Sequence, residues 1–171
     1  MEKTITVKEL VEKYEAAVDK MKPNVLKNIK SKKYINYEDK IAAMDRVIIA
    51  THVNTEGTVR LHTPMKFVLF TVSIINMYTN ILVDETKVLS EFNELHKVGL
   101  IDRLIHPKDG QEVIIPLNEI TECAEIMSML GEDFMTNNYG IRALITKHMS
   151  DINKMLPEAF AQFLKTIGEK E

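Results

Sequence analysis

Five histidines (His52, His62, His96, His106 and His148), one cysteine (Cys123) and two runs of carboxylates are the side chains of this sequence suited to hold a metal or move a proton. Asp102 and His106 stand four apart, a spacing that sets two ligands on one helix face, but Pro107 closes a helix at that point. Glu91, Glu94 and His96 are close in sequence, as are Glu119, Glu122 and Glu125. A di-iron bundle combines such carboxylates with Glu-x-x-His, and no glutamate here has a histidine three residues on. Two of the carboxylates could act as general acid and base, yet nothing in the spacing selects a pair. Cys123 lies beside Glu122 and Glu125, whose charge raises a thiol pKa and opposes nucleophilic use. A structural thiol in the core is expected. His148 falls on an apolar helix face, where a satisfied core or interface histidine is expected rather than a ligand.

The sequence contains no G-x-x-x-x-G-K-S/T, no G-x-G-x-x-G, no G-x-S-x-G and no H-E-x-x-H. With six glycines it offers no glycine-rich cradle for phosphate. No catalytic, cofactor-binding or metal-binding residue is therefore assigned, and the expectation is a protein without enzymatic activity.

Two patterns remain. Lys20, Lys22, Lys27, Lys30, Lys32 and Lys33 fall in a stretch with no acidic residue, although the whole chain of 171 residues carries a net charge of −3. Such a cluster suits a solvated helix face, an acidic protein surface or a phosphate backbone. The absence of arginine from it and the overall negative charge speak against DNA as the main partner. The second pattern is methionine, with ten residues, five of them Met127, Met129, Met135, Met149 and Met155. Methionine fills irregular cores and also builds adaptable interfaces.

The elements that carry these residues read as helices. Thr6 and Glu9 form a capping box for a helix with Leu10, Val11, Tyr14, Ala17, Val18 and Met21 on its apolar face. Pro23 ends it or starts a short second helix. Asn36 caps a helix with Tyr37, Ile41, Met44, Val47 and Ile48 inward. Thr63-Pro64 opens a helix to about Leu82 that is apolar nearly all round and should be wrapped by the others. Lys66, Asn76, Tyr78, Thr79 and Asn80 argue against reading it as a membrane span. Asp84 is expected to cap a helix over 85–98, with Gly99 closing it at positive φ. Pro116 starts a further helix, with Ile120, Ala124 and Leu130 inward and breaks at Gly131 and at 137–140. The alternating stretch 58–62 is expected to pair with 112–115 as a short two-stranded β element. The fold class is all-α, a multi-helix bundle around the helix at 64–82. A single domain over 1–171 is expected, with the basic segment 1–33 and the helices of 132–171 peripheral. Low cysteine usage and an N-terminus without an apolar leader point to a reducing cytoplasm.

Three stretches carry a resemblance. Tyr34-Ile-Asn-Tyr-Glu-Asp-Lys-Ile-Ala leads to Arg46-Val-Ile-Ile-Ala-Thr. Phe70-Thr-Val-Ser-Ile-Ile-Asn-Met-Tyr78-Thr-Asn-Ile81 follows, and then Phe92-Asn-Glu-Leu-His-Lys-Val-Gly99-Leu-Ile. Over about 34–105 the sequence resembles small proteins from the structural gene cluster of tailed phages and prophages of Gram-positive bacteria. The resemblance rests on core residues and caps, and no catalytic residue comes with it. It implies a virion component or assembly factor: a helical adaptor, a decoration or completion protein, or a tail-assembly chaperone. The partners implied are other phage structural proteins or further copies of the chain, first in the host cytoplasm and then in the virion. The competing expectation is a small intracellular binding protein, such as a phage-encoded inhibitor or regulator of a host factor, acting through the lysine face or an acidic C-terminal face.

Overall fold

The computed structural model describes residues 4–55, 58–105 and 113–139. They are mainly helical, with seven helices and two short strand pairs among them. The all-α class with a small β element is therefore the observed one. The chain divides into two compact units, residues 1–130 and 131–171. The architecture below is that of the first unit, and the described residues of the second are helical. His106, His148, Met149 and Met155 lie outside the described residues.

Helix α1 (Val7–Ala16) starts on the expected cap. Thr6 Oγ1 accepts the Glu9 N–H at 3.3 Å, and Glu9 Oε2 accepts the Thr6 N–H at 3.2 Å. Val7, Leu10 and Tyr14 are buried, but the helix stops at Ala16, which leaves Val18 and Met21 exposed in the following turn. Ahead of it, β1 (Ile5–Thr6) pairs in parallel with β4 (Ile81–Leu82). Pro23 sits in the first turn of the short helix α2 (Lys22–Lys27).

Helices α3 (Tyr37–Thr51) and α4 (Thr63–Tyr78) are joined by an antiparallel hairpin of β2 (His52–Thr55) and β3 (Thr58–Leu61). This corrects the expected pairing of 58–62 with 112–115. The partner is the segment immediately before the turn, where loop closure costs far less chain entropy than a distant pairing. Residues 113–115 form no strand. The hairpin returns α4 along α3, and the two pack together. On α4 the cap is His62 rather than Thr63, its Nδ1 accepting the Met65 N–H at 3.2 Å. The helix ends at Tyr78, short of the expected 82. Thr79 Oγ1 donates to the Ile75 carbonyl at 2.7 Å and accepts the Ile81 N–H at 3.1 Å, which turns the chain into β4. Val68, Val72, Ile74, Ile75 and Tyr78 are buried. The helix is nevertheless not enclosed on every side, since Phe67 is 51% exposed.

Asp84 does not cap the next helix. Its Oδ1 accepts the Thr86 N–H and hydroxyl at 2.9 and 2.7 Å, holding a turn before α5 (Val88–Lys97). Gly99 has φ 71° and ends α5 as the spacing predicts. Helix α6 (Leu100–Ile105) buries Leu100, Ile101, Leu104 and Ile105. Helix α7 (Leu117–Tyr139) runs through Gly131, where a break was expected. One glycine costs a helix only about 1 kcal/mol.

A Cβ at Gly99 meets no atom within 4 Å, so a substitution there is opposed by the backbone alone. Gly99→Ala is expected to lower stability by about 1–2 kcal/mol in urea unfolding, and Gly99→Asn by less, because asparagine tolerates the left-handed region.

Candidate functional site

The one dense group of titratable side chains inside the described unit surrounds Lys40. In sequence, Lys40, Met44, Val47, Ile48 and Thr51 share one stripe of α3, and all five are buried. Lys40 is 0% exposed. Its ammonium lies 2.8 Å from Glu119 Oε2 and 2.7 Å from Glu122 Oε2, both on the first turns of α7. It also sits 5.1 Å from the centre of the Tyr34 ring. Two carboxylates and an aromatic ring thus lie around the ammonium.

Glu119 is the hub. Its Oε2 accepts from Lys40, from the Tyr78 hydroxyl at 2.7 Å and from the Ile35 N–H at 3.3 Å. Tyr78 comes from the end of α4, and its hydroxyl also lies 3.8 Å from Cys123 Sγ. One carboxylate therefore ties α3, α4, α7 and the segment before α3 together. Among the described residues no buried side-chain nitrogen or oxygen lacks a hydrogen-bond partner.

Burial by itself would push Lys40 down, but its bonds to Glu119 and Glu122 outweigh that and hold it above its ordinary 10.5. Burial would raise Glu119, and the Lys40, Tyr78 and Ile35 donors overcome it and hold the carboxylate below its ordinary 4.5. Tyr78 is pushed well above its ordinary value, first by burial and then by its bond to Glu119. Burial also raises Cys123, more than the Tyr78 hydroxyl lowers it. The cluster is one ammonium between two carboxylates, with the protonated Tyr78 and Cys123 beside it. Its members bond to one another across α3, α4 and α7, and so hold these helices together. Cys123 is the buried structural thiol that its sequence context predicts.

Of the residues singled out from sequence, Glu119, Glu122 and Cys123 fall in this cluster, and the lysines of 20–33 and Met129 and Met135 do not. Glu119 and Glu122 were on the page as unselected carboxylates; their partner Lys40 and the hub's donor Tyr78 were not singled out. The signal was a lysine in register with an apolar stripe. No group of three or more His, Cys, Asp or Glu able to hold a metal occurs among the described residues. No helix among them is long and apolar enough to cross a membrane. In the lysine stretch, Lys20, Lys27, Lys30, Lys32 and Lys33 are exposed, while Lys22 pairs with Asp19 at 2.8 Å and lies over Tyr14. The backbone there is pinned, the Lys32 N–H donating to the Tyr78 carbonyl and the Lys30 N–H to Asn80 Oδ1. Met127 packs against the core, whereas Met129 and Met135 are 51% and 46% exposed.

Of the open clefts among the described residues, one of about 330 Å³ lies along α4. Ala43, Arg46, Val47 and Ala50, one stripe of α3, form one wall. Leu69, Val72, Ser73, Asn76 and Met77, one stripe of α4, form the floor. Glu85, in the turn before α5, and Val88, its first residue, line the far side.

Comparison with known proteins finds no matching family model, no matching curated protein and no matching solved structure.

Lys40→Met leaves Glu119 buried without its cation and is expected to cost about 3–5 kcal/mol. The double variant with Glu119→Gln recovers part of that loss in the same unfolding assay. The pH dependence follows from the two directions. The Glu119 contribution is fully present above 4.5 and is lost as pH falls through its lower folded value. The Lys40 contribution is present below 10.5 and is lost as pH rises through its higher folded value. In Lys40→Met the burial of Glu119 goes unopposed by a cation, so that variant's stability deficit should shrink as pH falls below neutral. A deficit that stays constant or grows in acid would contradict this account. Cys123 should react with a disulfide reagent only on unfolding.

Proposed function

We propose that the chain is a non-enzymatic protein that works by binding other protein surfaces, as a component or assembly factor of a tailed-phage particle. The observation that carries the first part is the contrast between interior and surface. The titratable cluster is internally paired, while Ile49, Phe67, Leu89 and Met129 are each at least half exposed and an open cleft runs along α4. Large apolar side chains left in water on several helices suit docking surfaces. The phage assignment is supported by the resemblance over 34–105. Of the residues that carry it, Lys40 and Tyr78 are members of the buried cluster.

A second reading is an intracellular binding protein that docks on an acidic partner. It is favoured by Lys20, Lys27, Lys32 and Lys33, which are exposed and have no ion-pair partner among the described residues. Light scattering coupled to size-exclusion chromatography at low and high salt separates the two. The virion reading expects a defined oligomer that persists in high salt, because apolar contacts are not screened. Met129→Lys should weaken it. A monomer at both salts overturns the virion-component reading and leaves the assembly chaperone and the second reading.

A further inference from the structure

We propose that the cleft over α4 is a groove for one amphipathic helix of a partner protein, with an acidic residue on one flank of its apolar stripe and a basic residue on the other. This rests on the protein-binding reading above and names the surface and the partner's chemistry.

The shape argument starts from α3. Ala43 and Ala50 stand seven apart, two turns or about 10 Å along the axis. At these positions methyl groups replace the large side chains that would fill a finished bundle. A third helix can therefore approach α3 closely, as packing at an interaxial distance of 8–10 Å requires. The floor is the apolar stripe of Leu69, Val72 and Met77, and Met77 can adapt to the side chain that enters. Helices α3 and α5 each pack on α4, so α4 is a floor between two walls. The volume of about 330 Å³ is that of a few side chains, which fits the apolar anchors of two helical turns.

The charge argument fixes the flanks. Arg46 projects from the α3 wall and Glu85 from the α5 side, and both are exposed. Among the described residues neither has a hydrogen-bond or ion-pair partner. Opposite charges on opposite rims select a helix whose flanks carry the complementary signs, and they set the direction in which it lies. Asn76 is already committed, its Oδ1 accepting the Val83 N–H at 3.0 Å, so it shapes the floor and adds no free acceptor through that atom.

The test uses the full chain and three fluorescein-labelled helical peptides with the same leucine stripe. One has Glu on one flank and Lys on the other, one has Glu on both, and one has Lys on both. Fluorescence anisotropy is expected to show the mixed peptide binding about threefold tighter than either of the others. Arg46→Glu should move the preference to the Lys/Lys peptide. Ala50→Leu, on the exposed side of α3, should weaken all three about tenfold or more, with an unchanged circular dichroism melt confirming the fold. Failure of all three peptides to bind, or binding that ignores Arg46→Glu and Ala50→Leu, overturns the proposal. Ala50→Leu is also examined by light scattering. If it dissolves an oligomer of the chain, the occupant is a second copy, and the assignment to a different partner is overturned. If an oligomer persists unchanged while the peptides do not bind, the groove proposal fails and the protein-binding reading stands.

Discussion

An ammonium removed from water must bring its counter-charges with it, and the position of Lys40 imposes that condition on the whole unit. Transfer of such an ion without partners costs several kcal/mol, more than half the stability of many domains. The cost is met only when α7 places Glu119 and Glu122 against α3, with the Tyr34 ring closing the third side. Apolar contacts are non-directional and tolerate sliding. Three donors converging on one carboxylate oxygen do not. Helices α3, α4 and α7 have their relative positions set at Glu119, and the surrounding leucine, isoleucine and valine residues fill the space that those positions define.

The same burial accounts for the quiet chemistry of the interior. Tyr78 and Cys123 would be nucleophiles or acids in another setting, but low polarity around them keeps both protonated. With the polar interior committed to architecture, the features still open to a partner lie outside: the cleft beside α4, the uncovered apolar side chains and the lysines of 20–33. These differ in character. The first two act through shape and exclusion of water, and the last through a field that salt can screen.

Much of the helical scaffold was legible in the sequence because its signals are local. The Thr6–Glu9 cap, Pro23 and Pro64 in first turns and Gly99 at positive φ each act within one turn, and each appears where its chemistry places it. Errors arose where tertiary contacts decide. The end of α4 depends on Thr79 bonding in two directions and on β4 finding β1. Residues 58–61 have a clear strand pattern, but a pattern does not name its partner, and the hairpin took the nearer one. The buried cluster was half legible. Glu119 and Glu122 stood out as spaced carboxylates, yet Lys40 reads as a polar interruption unless its stripe is traced through Met44, Val47 and Thr51. Nothing local ties position 40 to a helix 82 residues away in sequence.

That separation bears on how the chain is made. The first strand, β1, pairs with β4, and α1 packs on α5, so these elements meet those partners only after the middle of the chain has followed. Lys40 waits longer still, for α7. At ordinary elongation speeds the interval is on the order of ten seconds. During it the amine of Lys40 stays hydrated. A product truncated before Glu119 lacks the counter-charge that admits Lys40 to the core, and would present to cellular proteases an unclosed chain instead of a partial fold.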